Sequence, residues 1–107
     1  MRPNTANFKG YIASRPFHGE RVPQHVQNLV IRDYCQRKCF RFLLSATEYA
    51  MPGCFMILDQ LIAEIAEVDG IVAYSMFMLP DDPARRGRIY RSILDAGRSL
   101  HFAVEGL

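Results

Sequence analysis

A long apolar run in the middle of the chain limits what this protein can fold into. The run begins after the turn pair Asp69-Gly70 and contains no charged residue until Asp81. Half-exposed strands alternate apolar and polar residues, whereas a strand that is apolar at every position is typical of a parallel sheet with helices on both faces. We therefore predict a buried central strand whose carboxyl end lies at 75–80. Ligands bind beyond the carboxyl ends of the strands in open sheets of this kind, so the same stretch indicates where a site would form.

Helical and extended segments alternate on both sides of this run. Pro23 suits the first turn of a helix, and the pair Asp82-Pro83 is an acidic cap followed by an N-terminal proline. Between Cys54 and Val68, apolar residues recur at three- and four-residue spacing, which indicates another helix. The predicted helices lie at 23–38, 54–68 and 83–96, and the further strands lie at 10–14, 40–44 and 99–105.

The alternation of strands and helices implies right-handed crossovers and a parallel sheet. We expect an α/β fold of three layers, in which a four-stranded, mainly parallel sheet of order 2-1-3-4 lies between flanking helices. Residues 1–9 are polar and are expected to form a loose arm, and residues 10–107 a single domain. A chain of 107 residues buries only about two-thirds of its unfolded surface. Its many apolar positions therefore favour a homodimer.

Composition and spacing exclude several classes of protein. The net charge of +2 and the lack of long runs of like charge speak against nucleic-acid binding. No apolar stretch approaches the roughly 20 residues that span a bilayer, so we expect no membrane insertion. Three cysteines, an odd number, without a secretory leader predict reduced thiols and a cytoplasmic protein. Neither a zinc ligand set nor a glycine-rich phosphate loop is present, so we expect no metal and no cofactor.

Candidate catalytic residues collect where the predicted strands end. In the order 2-1-3-4, the first and third strands are neighbours whose connections leave in opposite directions, which opens a crevice between them. Glu48 lies in the predicted loop after the second strand, beside Tyr49. Desolvation there would raise the pKa of the Glu48 carboxyl and suit it to act as a general base, with Tyr49 and His18 as further catalytic candidates. Alternatively, Glu48 accepts hydrogen bonds from the amides of its loop.

Residues at the strand ends and on the first helix are candidates for binding a substrate. Arg15 and His18 lie near the start of the first helix, where they are suited to hold a phosphate or a carboxylate. Alternatively, Arg15 forms a salt bridge and His18 is solvated. Ser14 and Ser75 end strands and are candidate nucleophiles or hydrogen-bond donors. The predicted substrate-binding residues are Ser14, Arg15, Gln24, Asn28 and Ser75.

The order of segments resembles the catalytic domain of the serine site-specific recombinases. The likeness includes the opening strand at Tyr11, the segment Ile31-Arg32-Asp33-Tyr34-Cys35 and the strand start Asp69-Gly70-Ile71-Val72. It implies a resolvase-like, flavodoxin-like fold. At the place of the serine that attacks DNA in those enzymes this chain has Arg15, with Ser14 one position early, and the arginines that would neutralise a phosphodiester are missing. The resemblance therefore implies the fold without strand exchange.

A second resemblance covers almost the whole chain. The segments Gly10-Tyr11-Ile12-Ala13-Ser14-Arg15 and Leu44-Ser45-Ala46-Thr47-Glu48-Tyr49-Ala50-Met51, with 23–34 and 74–80, are similar to the sporadic carbohydrate cluster proteins, a small bacterial family. That family occurs among genes for unusual sugars. The resemblance implies a role in making or modifying a saccharide and leaves the reaction open.

Two functions are expected from these patterns. The first is a small cytoplasmic enzyme of unusual-sugar or saccharide biosynthesis, an isomerase, epimerase or lyase that moves a proton on an anionic sugar derivative. The alternative is a resolvase-like module without catalytic activity that binds a partner of the carbohydrate pathway. A row of arginines on the third helix is either a site for DNA or another anionic partner, or a solvated face or dimer contact. Its members are Arg85, Arg86, Arg88 and Arg91.

Overall fold

The computed structural model of the chain describes residues 6–16, 21–51 and 53–104. Strands and helices alternate along this part of the chain in the predicted order. Short 3-10 turns follow the second helix at Ile65–Glu67 and the third strand at Met76–Met78. The strands are β1 (Asn7–Ala13), β2 (Arg41–Glu48), β3 (Gly70–Ser75) and β4 (Ser99–Val104), and the helices are α1 (Gln24–Arg37), α2 (Met56–Ala63) and α3 (Pro83–Asp95).

The four strands form one parallel sheet in the order β2-β1-β3-β4, which confirms the predicted α/β fold and strand order. Every residue of β3 except Tyr74 is buried, as the unbroken apolar run predicts. β1 and β3 pair directly with each other, and Phe8 lies opposite Gly70. The chain leaves β1 towards β2 and leaves β3 towards β4, so the two connections run to opposite sides of the sheet.

The sheet separates two hydrophobic cores. α1 covers one face, where Ile31 packs with Ile12. α2 and α3 cover the other face, where Leu58 and Ile93 pack with Tyr11. Because successive side chains of a strand point to opposite faces, the neighbours Tyr11 and Ile12 belong to different cores. In the part of the chain that the structure describes, no helix is long and apolar enough to cross a bilayer.

The first strand begins, and the second strand ends, at a different residue from the one predicted. β1 begins at Asn7, because Asn7 and Phe8 pair with residues of β2, so residues 7–9 of the predicted arm belong to the sheet. β2 continues to Glu48, four residues past its predicted end, and its last residue lies opposite Ala13. This strand lies at the sheet edge and its second half is largely polar, so it carries no apolar run that would predict a strand. Residues 1–5 and 105–107 lie outside the described part of the chain.

A serine hydroxyl, an aspartate cap and a glycine determine where β3 ends and where α3 begins and ends. β3 ends at Ser75, the first residue of the predicted carboxyl end, because the Ser75 hydroxyl accepts a hydrogen bond from the Phe77 amide at 3.2 Å and the chain turns. α3 begins at the predicted cap, where the Asp82 carboxylate accepts the Arg85 amide at 3.3 Å. It ends before Gly97, whose φ of 72° is a conformation that glycine adopts readily at helix ends.

Candidate functional site

A cavity of about 720 Å³ opens at the carboxyl ends of β1 and β3. Its walls come from the residues after β1, the residues after β3, the loop before α2 and the first turn of α3. Because β1 and β3 are the neighbours whose connections leave in opposite directions, the cavity occupies the predicted crevice. We call it the Arg15 pocket. Its lining consists of Arg15, Pro16, Gly53, Phe55, Phe77, Leu79, Pro80, Asp81, Asp82 and Arg85.

The guanidinium of Arg15 joins three backbone segments beside the pocket. Nη1 donates to the carbonyl oxygen of Cys54 at 3.0 Å and, more weakly, to that of Tyr49 at 3.5 Å. Nη2 donates to the carbonyl oxygen of Met78 at 3.2 Å. Among the described residues, no carboxylate forms an ion pair with Arg15. Carbonyl oxygens therefore hold the side chain in place, and Arg15 forms part of the lining of the cavity.

Phe55 brings a second arginine to the same wall. The Cζ atom of Arg15 lies 4.8 Å from the centroid of the Phe55 ring, and that of Arg85 lies 5.0 Å from it. Both distances are within the range of cation–π attraction. Arg85 also forms an ion pair with Asp59, with Nη2 and Oδ2 3.4 Å apart, and exposure of both partners makes such a pair weak. One aromatic ring thus positions two cationic groups at the edge of the pocket.

Two acidic residues lie at the rim of the Arg15 pocket. Asp81 and Asp82 are both exposed, and the Asp82 carboxylate is occupied as the cap of α3. Water screens exposed charges more strongly than partly buried ones. Arg15 and Arg85 are less exposed than the two acids, so water screens the charges of the arginines less.

Glu48 lies behind the pocket as the last residue of β2, and it is only 1% exposed. Its Oε1 accepts hydrogen bonds from the Tyr11 hydroxyl at 2.9 Å and from the Leu58 amide at 3.0 Å. Both carboxylate oxygens lie 3.1 Å from the Ile57 amide, and Oε2 accepts the Tyr49 amide at 3.0 Å. Amides in the first turn of a helix have no partner within the helix, and they favour an anion. Glu48 therefore caps α2 and ties β2 to β1.

The hydrogen bonds around Glu48 reverse the expected shift of its pKa. Burial by itself would raise the pKa, but the bonds donated by Leu58, Ile57, Tyr11 and Tyr49 outweigh it and hold the pKa below the ordinary value for a glutamate. The predicted rise is therefore wrong, because the sequence pattern does not reveal the donors. The alternative, that Glu48 accepts amide hydrogen bonds from its loop, is confirmed. A general-base role for Glu48 stays a prediction.

The structure brings three of the predicted site residues to the same end of the sheet. Arg15 donates to the carbonyls of Tyr49 and Cys54, while Glu48 accepts the Tyr49 amide and lies 3.7 Å from the Cys54 sulfur. Arg15 and Glu48 therefore contact the same two residues from opposite sides. The Tyr49 side chain itself is 51% exposed. Its catalytic role stays a prediction.

The other predicted site residues that the structure describes do not line the Arg15 pocket. Ser75 is buried and its hydroxyl is used to end β3. Ser14 follows β1 and is half-buried. Gln24 and Asn28 are on α1, which covers the face of the sheet opposite α2 and α3. Their roles in substrate binding stay predictions, and His18 lies outside the described residues.

A buried glutamine supports the exit of β1. The Gln27 side chain donates to the carbonyl oxygens of Ala13 at 2.6 Å and Val22 at 2.8 Å, and it accepts the Ala13 amide at 3.1 Å. It thereby pairs with the end of β1 as a neighbouring strand would. Gln27 is not among the residues that the sequence analysis selects for the site. Its spacing of four residues from Ile31, and of eight from Cys35, indicates the buried side.

A second polar group lies among aromatic rings near the amino end of β4. The His101 ring nitrogens are hydrogen-bonded to the Tyr34 hydroxyl at 2.9 Å and to the Ser99 hydroxyl at 3.1 Å. The rings of Phe8 and Phe40 meet the imidazole edge-on, with centroids 5.2 and 5.1 Å away. We call these five residues the His101 cluster. Burial, together with the charge of nearby Lys38, lowers the pKa of His101.

Comparisons with known proteins add no relative to this description. No protein-family model, no curated protein and no solved structure matches the chain. The two resemblances drawn from the sequence therefore stay predictions.

Proposed function

We propose that this protein binds an anionic sugar-type small molecule in the Arg15 pocket and serves the biosynthesis of an unusual sugar or saccharide. The observation that carries the proposal is the placement of Arg15 and Arg85 on one wall of a cavity at the switch point of a parallel sheet. Such switch points are where open α/β sheets bind their ligands.

The hydrogen bonds of Arg15 support an anionic ligand. A guanidinium has five N–H donors in a fixed plane, and this plane matches the oxygens of a phosphate or a carboxylate. Three backbone carbonyls fix the orientation of the Arg15 plane without neutralising its charge. These hydrogen bonds do not use all five donors of the guanidinium, so an anion in the cavity would meet a group whose orientation is already fixed.

The proposal that the ligand is a sugar derives from the resemblance to the sporadic carbohydrate cluster proteins and from the polar mouth of the pocket. Exposed carboxylates such as that of Asp81 accept hydrogen bonds from hydroxyl groups. A molecule with an anionic group at one end and hydroxyls at the other would use both charges of the pocket. We infer a cytoplasmic setting from the odd number of cysteines.

The proposal is for binding, and it leaves the chemical step open. Every described donor around Glu48 is already engaged, and a pKa below the ordinary value weakens a base. A second copy of the chain would add further groups. Large apolar side chains are exposed beside the pocket at Tyr49, Met51 and Met56, and such surfaces favour the predicted homodimer.

Isothermal titration calorimetry with the full chain tests the proposal. The probes are glucose 1-phosphate, glucuronate, UDP-glucose and neutral glucose at one ionic strength. We expect at least one anionic probe to bind and glucose to bind much more weakly. Binding of glucose as tightly as the anions, or binding of no probe, would contradict the proposal.

Two variants assign the binding to Arg15. Arg15→Ala should weaken the anionic probes by about tenfold or more, the usual value of a charged hydrogen bond. Arg15→Lys keeps the charge but not the planar fork, and it should lose a smaller part of the affinity. Arg88→Ala is the matched control, because it removes the same charge from an exposed position of α3. Urea unfolding of each variant shows whether the loops tied by Arg15 remain folded.

A further inference from the structure

We propose that the anionic group held in the Arg15 pocket is a diphosphate, so that the ligand is a glycosyl diphosphate of the sugar-nucleotide kind. This inference depends on the proposed function and names the chemical class of its ligand. It follows from the spacing of two guanidiniums, from their charge and from the size of the cavity.

The two arginines are close enough to bind one ligand together. Each Cζ atom lies about 5 Å from the centroid of the same Phe55 ring, so the two atoms cannot be farther apart than twice that distance. A linked pair of phosphoryl groups offers oxygens over a span of this order, and each arginine can meet a different phosphoryl group. A single carboxylate offers two oxygens at one point. Two guanidiniums around one ring therefore fit a ligand with two adjacent anionic centres.

Charge balance favours the same ligand. Arg15 has no ion-pair partner among the described residues, and Arg85 has one long contact to Asp59. Like charges held close together in a partly buried wall repel each other. A phosphate monoester also carries close to two negative charges at neutral pH, but both lie on one phosphoryl group. A diphosphate diester places one charge on each of two linked phosphoryl groups, so each guanidinium can meet its own, while the exposed Asp81 and Asp82 at the rim stay in water.

The cavity has room for more than a phosphorylated monosaccharide. Its volume of about 720 Å³ lies in the upper half of the range of roughly 300–1,000 Å³ that is typical for drug-sized ligands. Apolar residues from the turn after β3, including Phe77 and Leu79, form part of the lining. A glycosyl diphosphate would place its charged centre at the arginines and its two larger ends along the rest of the cavity.

Calorimetric titration of the full chain with four probes tests the inference. The probes are inorganic phosphate, inorganic pyrophosphate, glucose 1-phosphate and UDP-glucose, at matched pH and ionic strength. We expect pyrophosphate to bind about tenfold more tightly than phosphate, and UDP-glucose to exceed glucose 1-phosphate by a similar factor, the value of one additional charged hydrogen bond. Equal affinities within each pair would overturn the diphosphate inference.

Arg85→Ala separates this inference from the proposed function. It should lower the affinity for pyrophosphate more than the affinity for phosphate, so that the preference for pyrophosphate over phosphate falls to less than threefold. Asp59→Asn is the matched control, since it breaks the ion pair of Arg85 and keeps the guanidinium, and it should preserve the preference. An unchanged preference in Arg85→Ala would overturn the diphosphate inference alone. If neither phosphate nor any sugar phosphate binds the wild-type chain, the proposed function fails as well.

Discussion

At each end of the sheet a polar side chain lies against aromatic rings, but only the one at the carboxyl end has hydrogen-bond donors left for a ligand. At the carboxyl end, Arg15 lies against the ring of Phe55 and beside a cavity. At the amino end, His101 lies against the stacked rings of Phe8 and Phe40, and both of its ring nitrogens are hydrogen-bonded to hydroxyls. The imidazole has no donor or acceptor left for a ligand, whereas the guanidinium does. A polar group among aromatic rings is thus a candidate binding group only when some of its hydrogen-bonding capacity is unused.

Glu48 and Arg15 differ in the same way, although both lie at the carboxyl end of the sheet. It shares two contact residues with Arg15, yet its carboxylate is buried and accepts hydrogen bonds from a hydroxyl and three backbone amides. Arg15 is held by carbonyl oxygens and keeps its charge uncompensated among the described residues. The two residues therefore differ in role, because Glu48 stabilises the loop and Arg15 lines the cavity.

Removing the charge of Glu48 should have the largest effect on stability. In Glu48→Gln, an NH₂ group replaces one carboxylate oxygen. It faces the N–H and O–H donors around Glu48 and cannot accept their hydrogen bonds. Leaving buried donors unsatisfied around a former charge should lower the free energy of unfolding by about 3 kcal/mol. Urea unfolding followed by circular dichroism measures this loss.

The control for this variant is Glu67→Gln, at an exposed position, which should change stability by less than about 0.5 kcal/mol. If Glu48→Gln also changes stability by less than about 0.5 kcal/mol, the carboxylate does not hold the loop. The same variant also tests the predicted general base. If Glu48 moves a proton, turnover of a substrate should disappear in Glu48→Gln even under conditions where the variant is fully folded.

Acid should remove the contribution of Glu48 in a defined direction. Because the pKa of Glu48 is lower in the folded protein than in the unfolded chain, the unfolded chain takes up the proton first as the pH falls. The stabilisation is therefore complete above about pH 5, since an unperturbed glutamate titrates near 4.3. It is lost as the pH falls through the lower pKa of the folded state. The stability difference between wild type and Glu48→Gln should shrink between pH 5 and pH 3, and a constant difference would contradict the assignment.

The His101 cluster should give a smaller pH effect in a higher range. The pKa of His101 is lowered in the folded protein, so the unfolded chain binds more protons as the pH falls below about 6.5, the ordinary value for histidine. Stability should therefore decrease between pH 6.5 and pH 5. His101→Gln removes this slope and costs about 1 kcal/mol at pH 7, because it replaces the hydrogen bonds to Tyr34 and Ser99 with poorer ones.

His25→Gln is the matched control for the histidine variant, because His25 is exposed near the start of α1. It should leave the slope between pH 6.5 and pH 5 as it is in the wild type. Neither histidine variant should change the affinity for anions at the Arg15 pocket. A drop in that affinity in His101→Gln would mean that the two ends of the sheet are coupled.

The sequence predicts the fold and the place of the pocket because both depend on patterns along the chain. The apolar run into Ser75 indicates a buried central strand, and the alternation of elements gives the strand order and hence the crevice beside Arg15. The capping pair Asp82-Pro83 likewise predicts the start of α3, because a helix start depends on neighbours in sequence.

The positions of the side chains that complete the site depend on contacts between distant segments, and the periodicity of the sequence does not reveal these contacts. Glu48 and Leu58 come together only because β2 continues to Glu48 and α2 begins nearby, and the first of these boundaries differs from the prediction. Phe55 and Arg85 are on different elements, 30 positions apart in sequence, and share a contact through the packing of α2 against α3. Gln27 is the exception, since its spacing on α1 does indicate burial.

The smallest expected effect is that of the aromatic ring at the pocket, and it tests the comparison between the two ends directly. Phe55→Leu keeps an apolar side chain between Arg15 and Arg85 but removes the π face. Each cation–π contact at a partly exposed site contributes about 0.5–1 kcal/mol, so anion affinity should fall by roughly threefold to tenfold. Calorimetry with pyrophosphate measures this change.

Phe40→Leu is the counterpart of this variant at the amino end, where the ring contacts His101 and stacks on Phe8 with centroids 4.0 Å apart. It should lower the free energy of unfolding by about 1 kcal/mol and leave pyrophosphate affinity unchanged, because no ligand group is involved. Phe55→Leu should therefore change the affinity for pyrophosphate, and Phe40→Leu should change the free energy of unfolding. If Phe55→Leu changes only stability, its ring supports the fold as Phe40 does, and the two guanidiniums do not need it to meet an anion.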